Sequence, residues 1–151
     1  MSFVTRGFSG RGRSRDERVP PGQTGVDDWP VLSAGATPAV SQAQWTLDVR
    51  SAGDTIARFS FSELLALGVE DVTVDIHCVT HWTKLGMRWR GVPVEKVLAA
   101  VESPDGYVMA HSYGGYTTNV PMTDLRGGRA WVAVEADGAP LTPEHGGPAR
   151  L

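Results

Sequence analysis

Apolar and polar residues alternate in several short runs, and each run predicts a half-buried strand. In Gln44–Arg50, Trp45, Leu47 and Val49 share one face, and Thr46, Asp48 and Arg50 take the other. Val72 to Val79 repeats the pattern, with Val72, Val74, Ile76 and Cys78 on one side. Tyr107–His111 and Tyr116–Val120 flank Gly114-Gly115, a turn signal, and so predict a hairpin. Ala130–Glu135 is a further strand, followed by Asp137-Gly138, a hairpin turn.

Helical signals are shorter. Ser60-Phe61-Ser62-Glu63 is a capping box ahead of Leu64-Leu65-Ala66-Leu67, with Gly68 as the stop. A second helix is expected to start at Gly91-Val92-Pro93-Val94 and to bury Val94, Val97, Leu98 and Val101. Met122–Leu125 gives one further turn. Strands that do not alternate regularly with long helices predict an α+β fold of mixed β-sheets with short helices.

Composition divides the chain in two. Residues 1–28 are rich in Gly, Arg, Ser, Asp and Pro and predict a flexible basic tail, ahead of a folded domain over 29–151. Up to Pro20, five arginines face Asp16 and Glu17, a charge of +3, so the rest carries −6 of the total of −3. An acidic body argues against nucleic-acid binding. No run approaches the ~18 apolar residues of a membrane span. The amino end lacks the apolar stretch of a secretory signal, so the expected location is the cytoplasm.

The single cysteine excludes an internal disulfide framework and multi-cysteine metal sites. Cys78 reads in two ways: as a buried structural thiol, the usual place of a lone cysteine, or as a functional group where a strand opens into the polar, aromatic stretch Thr80-His81-Trp82-Thr83-Lys84. His77, Cys78 and His81 together would supply three zinc ligands. However, neighbours on a strand point to opposite faces. A nucleophilic thiolate would need a base, and nothing singles one out among His77, His81, His111 and His145. Gly146-Gly147-Pro148 followed by Arg150 suits an anion, because arginine forks two hydrogen bonds onto phosphate. The five tryptophans read as core or pocket walls.

Three ordered blocks together resemble one family. Asp75-Ile76-His77-Cys78-Val79-Thr80-His81-Trp82-Thr83-Lys84-Leu85, with Arg90-Gly91-Val92-Pro93-Val94 after it, is similar to the molybdenum-ligand segment of sulfite-oxidase-like molybdopterin-dependent oxidoreductases, in particular their small bacterial haem-free branch. Tyr113-Gly114-Gly115-Tyr116-Thr117-Thr118-Asn119-Val120-Pro121-Met122 resembles the next block. Asp137-Gly138-Ala139-Pro140-Leu141 and Glu144-His145-Gly146-Gly147-Pro148-Ala149-Arg150 resemble the third. The openings Val19-Pro20-Pro21-Gly22-Gln23 and Pro30-Val31-Leu32-Ser33-Ala34-Gly35 fit the same branch.

The resemblance implies a mixed α+β fold around one molybdenum-molybdopterin (Mo-pyranopterin), with Cys78 as the single protein ligand to the metal. It places Ser112, His145 and Arg150 at the cofactor and Ser33 in the segment that covers the pterin, with His77, Thr117 and Asn119 as weaker cofactor contacts. It implies oxygen-atom transfer on a small-molecule substrate. Sulfite oxidases place a substrate-binding arginine shortly after the cysteine; here Lys84 stands in that region as the group that would attract an anion. With no haem domain, electrons would pass to or from a separate electron-transfer protein. The resemblance also implies a further strand and a lysine-bearing loop beyond Leu151, so the chain is expected to lack the carboxy-terminal part of the pocket. The alternative expectation is a truncated, non-catalytic fragment that binds a pterin or a partner.

Overall fold

The structure is a computed structural model and describes residues 16–33, 35–99, 101 and 106–151. The first fifteen residues of the expected basic tail, and Ala34 of the loop that follows Leu32, lie outside the described residues. Strand β1 is Thr24–Gly25. Strands β2 (Thr46–Ser51) and β3 (Asp54–Ser60) lead into helix α1 (Phe61–Ala66). Strands β4 (Glu70–His77) and β5 (Trp82–Pro93) precede a single helical turn, α2 (Val94–Val97). Strands β6 (Tyr107–His111) and β7 (Thr117–Pro121) form a hairpin, and β8 (Trp131–Ala136) and β9 (Ala139–Pro140) form another. Short 3₁₀ turns lie at Met122–Asp124 and Pro143–His145. Mixed sheets with few short helices are the α+β class that the patterning predicts.

The chain divides into two compact units. One joins the segment ending at Pro30 to Thr73–Met87; the other comprises Val31–Val72 and Arg88–Leu151. Strand β5 runs through both. Its first residues pair in parallel with β1, Thr24 opposite Trp82 and Gly25 opposite Thr83. Its last residues pair antiparallel with β8, from Trp89 opposite Ala136 to Pro93 opposite Trp131. The register shifts between Arg90 and Gly91. A Cβ on Gly91 would lie 2.7 Å from the Val132 carbonyl oxygen, so this bulge admits only glycine.

The larger unit holds the core. Trp45, Leu64, Val92, Val94, Val97, Leu98, Met122, Leu125, Val132 and Val134 form its buried cluster. Trp45 meets Phe61 edge to face, with ring centroids 5.9 Å apart. Across the β2–β3 hairpin, Arg58 stands opposite Asp48 and grips its carboxylate at 2.6 and 2.8 Å. That bidentate bond holds the Asp48 carboxyl down to a pKa of about 2.

The capping box forms as read. Ser60 Oγ accepts the Glu63 N–H at 3.3 Å, and the Glu63 carboxylate accepts the Ser60 N–H at 2.8 Å. Helix α1 is too short to persist alone, so its cap and its buried Leu64 share the task of holding it. Ser60→Ala is expected to lower unfolding free energy by about 1 kcal/mol, measured by urea denaturation.

Three expectations are corrected. The second helix shrinks to one turn, because Gly91, Val92 and Pro93 are the end of β5. Val92 is fully buried there as a strand residue pairing with Val132. Strand β4 stops at His77, so Cys78 and Val79 belong to a turn, and Val79 is 90% exposed. Val74, placed on the buried face by alternation, is 39% exposed. The stretch 16–28 lies among the described residues. It contains β1, and Arg18 chelates Asp16 with Nη2–Oδ2 at 2.8 Å. Strand β3 carried no reading from the sequence. Its start is set by a two-residue turn at Ala52-Gly53, both with positive φ.

Candidate functional site around Cys78

Strands β4 and β5 are joined by Cys78 and the three loop residues Val79-Thr80-His81. The Cys78 N–H donates to the Trp82 carbonyl at 2.9 Å, and the His81 N–H donates back to the Cys78 carbonyl at 3.0 Å. His81 occupies the left-handed region at φ 69°, which this class of hairpin loop requires of its third residue. Cys78, a free thiol of intermediate burial, stands at the first corner. The Thr80 hydroxyl donates to its sulfur at 3.1 Å.

Behind the turn lies a closed polar chain. Thr83 is fully buried, so its hydroxyl must be satisfied internally. Gln23 Nε2 donates to the Cys78 carbonyl at 3.1 Å, which fixes the amide with Oε1 at its other side. The Thr83 hydroxyl donates to that Oε1 at 3.2 Å. Its own oxygen is then free only to accept, so His77 Nδ1, at 2.8 Å, is the donor. The network thus places a proton on His77 Nδ1.

The structure therefore brings together His77, Cys78 and two residues that sequence reasoning missed, Gln23 and Thr83. Thr83 was visible only as one polar residue in a polar stretch. Gln23 lies 55 residues upstream of Cys78, and no local pattern links the two. Lys84 donates from Nζ to the Asp27 carbonyl at 3.1 Å in the same unit. Trp82 is buried, and its indole Nε1–H has no hydrogen-bond partner among the described residues.

The other candidates form two groups in the larger unit. Ser112 closes the β6–β7 hairpin: its Oγ accepts the Tyr116 N–H at 3.1 Å, and its carbonyl accepts the Gly115 N–H at 3.0 Å. Thr117 and Asn119 are exposed on β7, opposite His111 and Met109. His145 and Arg150 are brought together. Arg150 Nη1 donates to the His145 carbonyl at 3.1 Å, and His145 Nδ1 lies 3.3 Å from the Thr142 hydroxyl. The neighbouring Glu144 carboxyl is held below its usual range by its own backbone N–H first, then by the Thr142 hydroxyl and the charge of His145. A Cβ on Gly147 would overlap the Leu141 carbonyl, so the chain packs on itself there more closely than any side chain allows. Ser33 is exposed, outside any helix or strand.

This donor chemistry bears on what the site can hold. Among the described residues no three His, Cys, Asp or Glu side chains are grouped to hold a metal ion, so the zinc set of His77, Cys78 and His81 is not assembled. A lone thiol fits a metal that arrives with most of its ligands already attached, and a soft thiolate suits molybdenum bound by a dithiolene. The buried, unpartnered indole N–H of Trp82 fits a polar group arriving beside the turn.

Two comparisons show the family and a third shows the fold. A model described as the oxidoreductase molybdopterin binding domain matches residues 34–151. The chain is 36% identical over 148 residues to the uncharacterized oxidoreductase YuiH of Bacillus subtilis (strain 168), covering 95% of this chain and 75% of YuiH. The crystal structure of the sulfane dehydrogenase SoxCD from Paracoccus pantotrophus matches with a TM-score of 0.63 at 21% identity, over 76% of this chain. That match spans 34% of the SoxCD chain and is a likeness of fold. Among the described residues no helix is long and apolar enough to cross a membrane. With the Cys78 turn and the His145–Arg150 block both inside the matched span, the chain belongs to the oxidoreductase molybdopterin-binding domain family.

Proposed function

We propose that this protein is a molybdopterin-dependent oxidoreductase that transfers an oxygen atom to or from a small substrate, with Cys78 as the protein ligand to molybdenum. One observation carries the reading: the only cysteine of the chain stands at the corner of a tight turn whose carbonyl, amide and thiol are each hydrogen-bonded. When bound, the molybdenum-pterin supplies the oxygen-atom transfer and the change of two electrons.

The chain's own residues hold and tune. Cys78 offers the thiolate, and the Thr80 hydroxyl bonded to its sulfur draws charge from it. His77, the neighbour of Cys78 in the chain, is held through Nδ1 by the buried Thr83 hydroxyl. His145 and Arg150 bind the pterin and its phosphate, and arginine supplies the forked donor that a phosphate needs. The family resemblance assigns Ser112, Thr117, Asn119 and Ser33 as further cofactor contacts and Lys84 as the group that draws an anionic substrate. SoxCD, which shares the fold, is a sulfane dehydrogenase, and an oxidisable sulfur compound is the substrate class we propose for this chain. Electrons pass to or from a separate protein, and the compartment proposed is the cytoplasm.

Molybdenum by elemental analysis, with pterin fluorescence after oxidative release, tests the reading on protein from a molybdopterin-producing host. Metal and pterin near one per chain are expected. Protein that is folded yet free of both would refute the assignment.

A further inference from the structure

We propose that the segment Pro20–Asp27 is a strap that belongs to the Cys78 site, and that Gln23 is a positioning residue for the thiol. The segment lies ahead of the span matched by the family model, which begins at residue 34. The proposal rests on Cys78 being the reactive group, as argued above.

The turn that carries Cys78 is costly. The β6–β7 hairpin closes with the same hydrogen-bond pattern, Ser112 N–H to the Tyr116 carbonyl and Gly115 N–H to the Ser112 carbonyl. There the third loop residue is Gly115, at φ 79°. The Cys78 turn places His81 in that position, at φ 69°. A Cβ in the left-handed region crowds the backbone, so such a residue persists only where its surroundings hold it.

The strap holds both ends of this turn. Gln23 Nε2 donates to the Cys78 carbonyl at 3.1 Å, and the Thr24 N–H donates to the His81 carbonyl at 2.9 Å. The Val26 N–H adds a bond to the Thr83 carbonyl at 2.9 Å. The Cys78 carbonyl therefore accepts twice, from His81 within the turn and from Gln23 outside it, which uses both its lone pairs.

Gln23 is itself fixed on three sides. Pro20-Pro21-Gly22-Gln23 is a tight turn closed by the Gln23 N–H to the Pro20 carbonyl at 3.1 Å. Proline stands second, and Gly22 stands third with φ 82°, as a type II turn requires. The buried Thr83 hydroxyl then orients the amide through Oε1. The resulting path is proline turn, Gln23 amide, Cys78 carbonyl.

The test exploits the single cysteine: iodoacetamide at fixed pH reads Cys78 alone in the metal-free full chain. Gln23→Met keeps the length and removes both side-chain bonds. Gln23→Glu keeps the acceptor for Thr83 and removes the donor to Cys78. Both variants are expected to react roughly fivefold faster than the parent, the factor that one ordinary hydrogen bond contributes to a local opening, with the urea midpoint unchanged in Gln23→Glu, which keeps an acceptor for the buried Thr83 hydroxyl. In the molybdenum-loaded protein both are expected to keep the metal and shift the electron paramagnetic resonance of the one-electron-reduced centre. An alkylation rate unchanged in both variants, or one that rises only as the urea midpoint falls, would overturn the proposal. A parent that binds no molybdenum defeats the functional reading, while the alkylation rates still decide the strap.

Discussion

Cys78→Ser is expected to remove molybdenum from the purified protein and turnover with it, while leaving the fold in place. A serine hydroxyl remains protonated at neutral pH and is a hard oxygen donor, whereas the site calls for a soft thiolate. Loss of a group that only supports a ligand costs about 10–100-fold in metal affinity or activity, so loss of the ligand itself is expected to exceed that range. The turn should survive, because the bonds that define it are made by backbone: Cys78 N–H to the Trp82 carbonyl, His81 N–H to the Cys78 carbonyl, Thr24 N–H to the His81 carbonyl. Metal content and turnover measure the first effect, and circular dichroism with a urea titration measures the second. A serine variant that keeps its molybdenum and turns over at the parent rate would remove Cys78 from the site. A variant that loses metal because it no longer folds would show it in the urea titration.

Leu64→Ala is expected to give the largest loss of stability. Leu64 is fully buried at the centre of a cluster that includes Trp45, Val92, Val97, Leu98 and Val134. It is the one buried residue of α1. Truncation removes apolar contact and leaves a void that the surrounding close-packed cluster can fill only in part. Such changes cost about 2–5 kcal/mol, and for a chain of this size that lowers the melting temperature by roughly 10 °C. Val79→Ala is the control: at 90% exposure it is expected to change stability by less than ~0.5 kcal/mol. Differential scanning calorimetry reads both. A Leu64→Ala protein that melts within a degree or two of the parent would show that α1 does not anchor the core.

Much of the fold was legible because its signals are local. The β6–β7 hairpin follows from alternation around Gly114-Gly115, and the β8–β9 turn from Asp137-Gly138. The capping box of α1 is written in four consecutive residues. Strand β5 was not legible. Its buried positions Met87, Trp89 and Val92 do not keep one alternation, since the bulge at Arg90/Gly91 shifts the register between them. The same misreading lengthened α2, whose apolar stripe Val94, Val97 and Leu98 is buried but spans a single turn.

The sequence alone determined the family, the fold class and the singular position of Cys78. These rest on residue identity and order, which need no coordinates. Only the tertiary structure decided how Cys78 is held. The amide that reaches its carbonyl comes from Gln23, the hydroxyl that orients that amide from Thr83, and the imidazole that completes the chain from His77. A hydrogen bond between residues 55 positions apart leaves no periodicity in the chain. It exists because β1 lies beside β5, and that pairing is a property of the folded backbone.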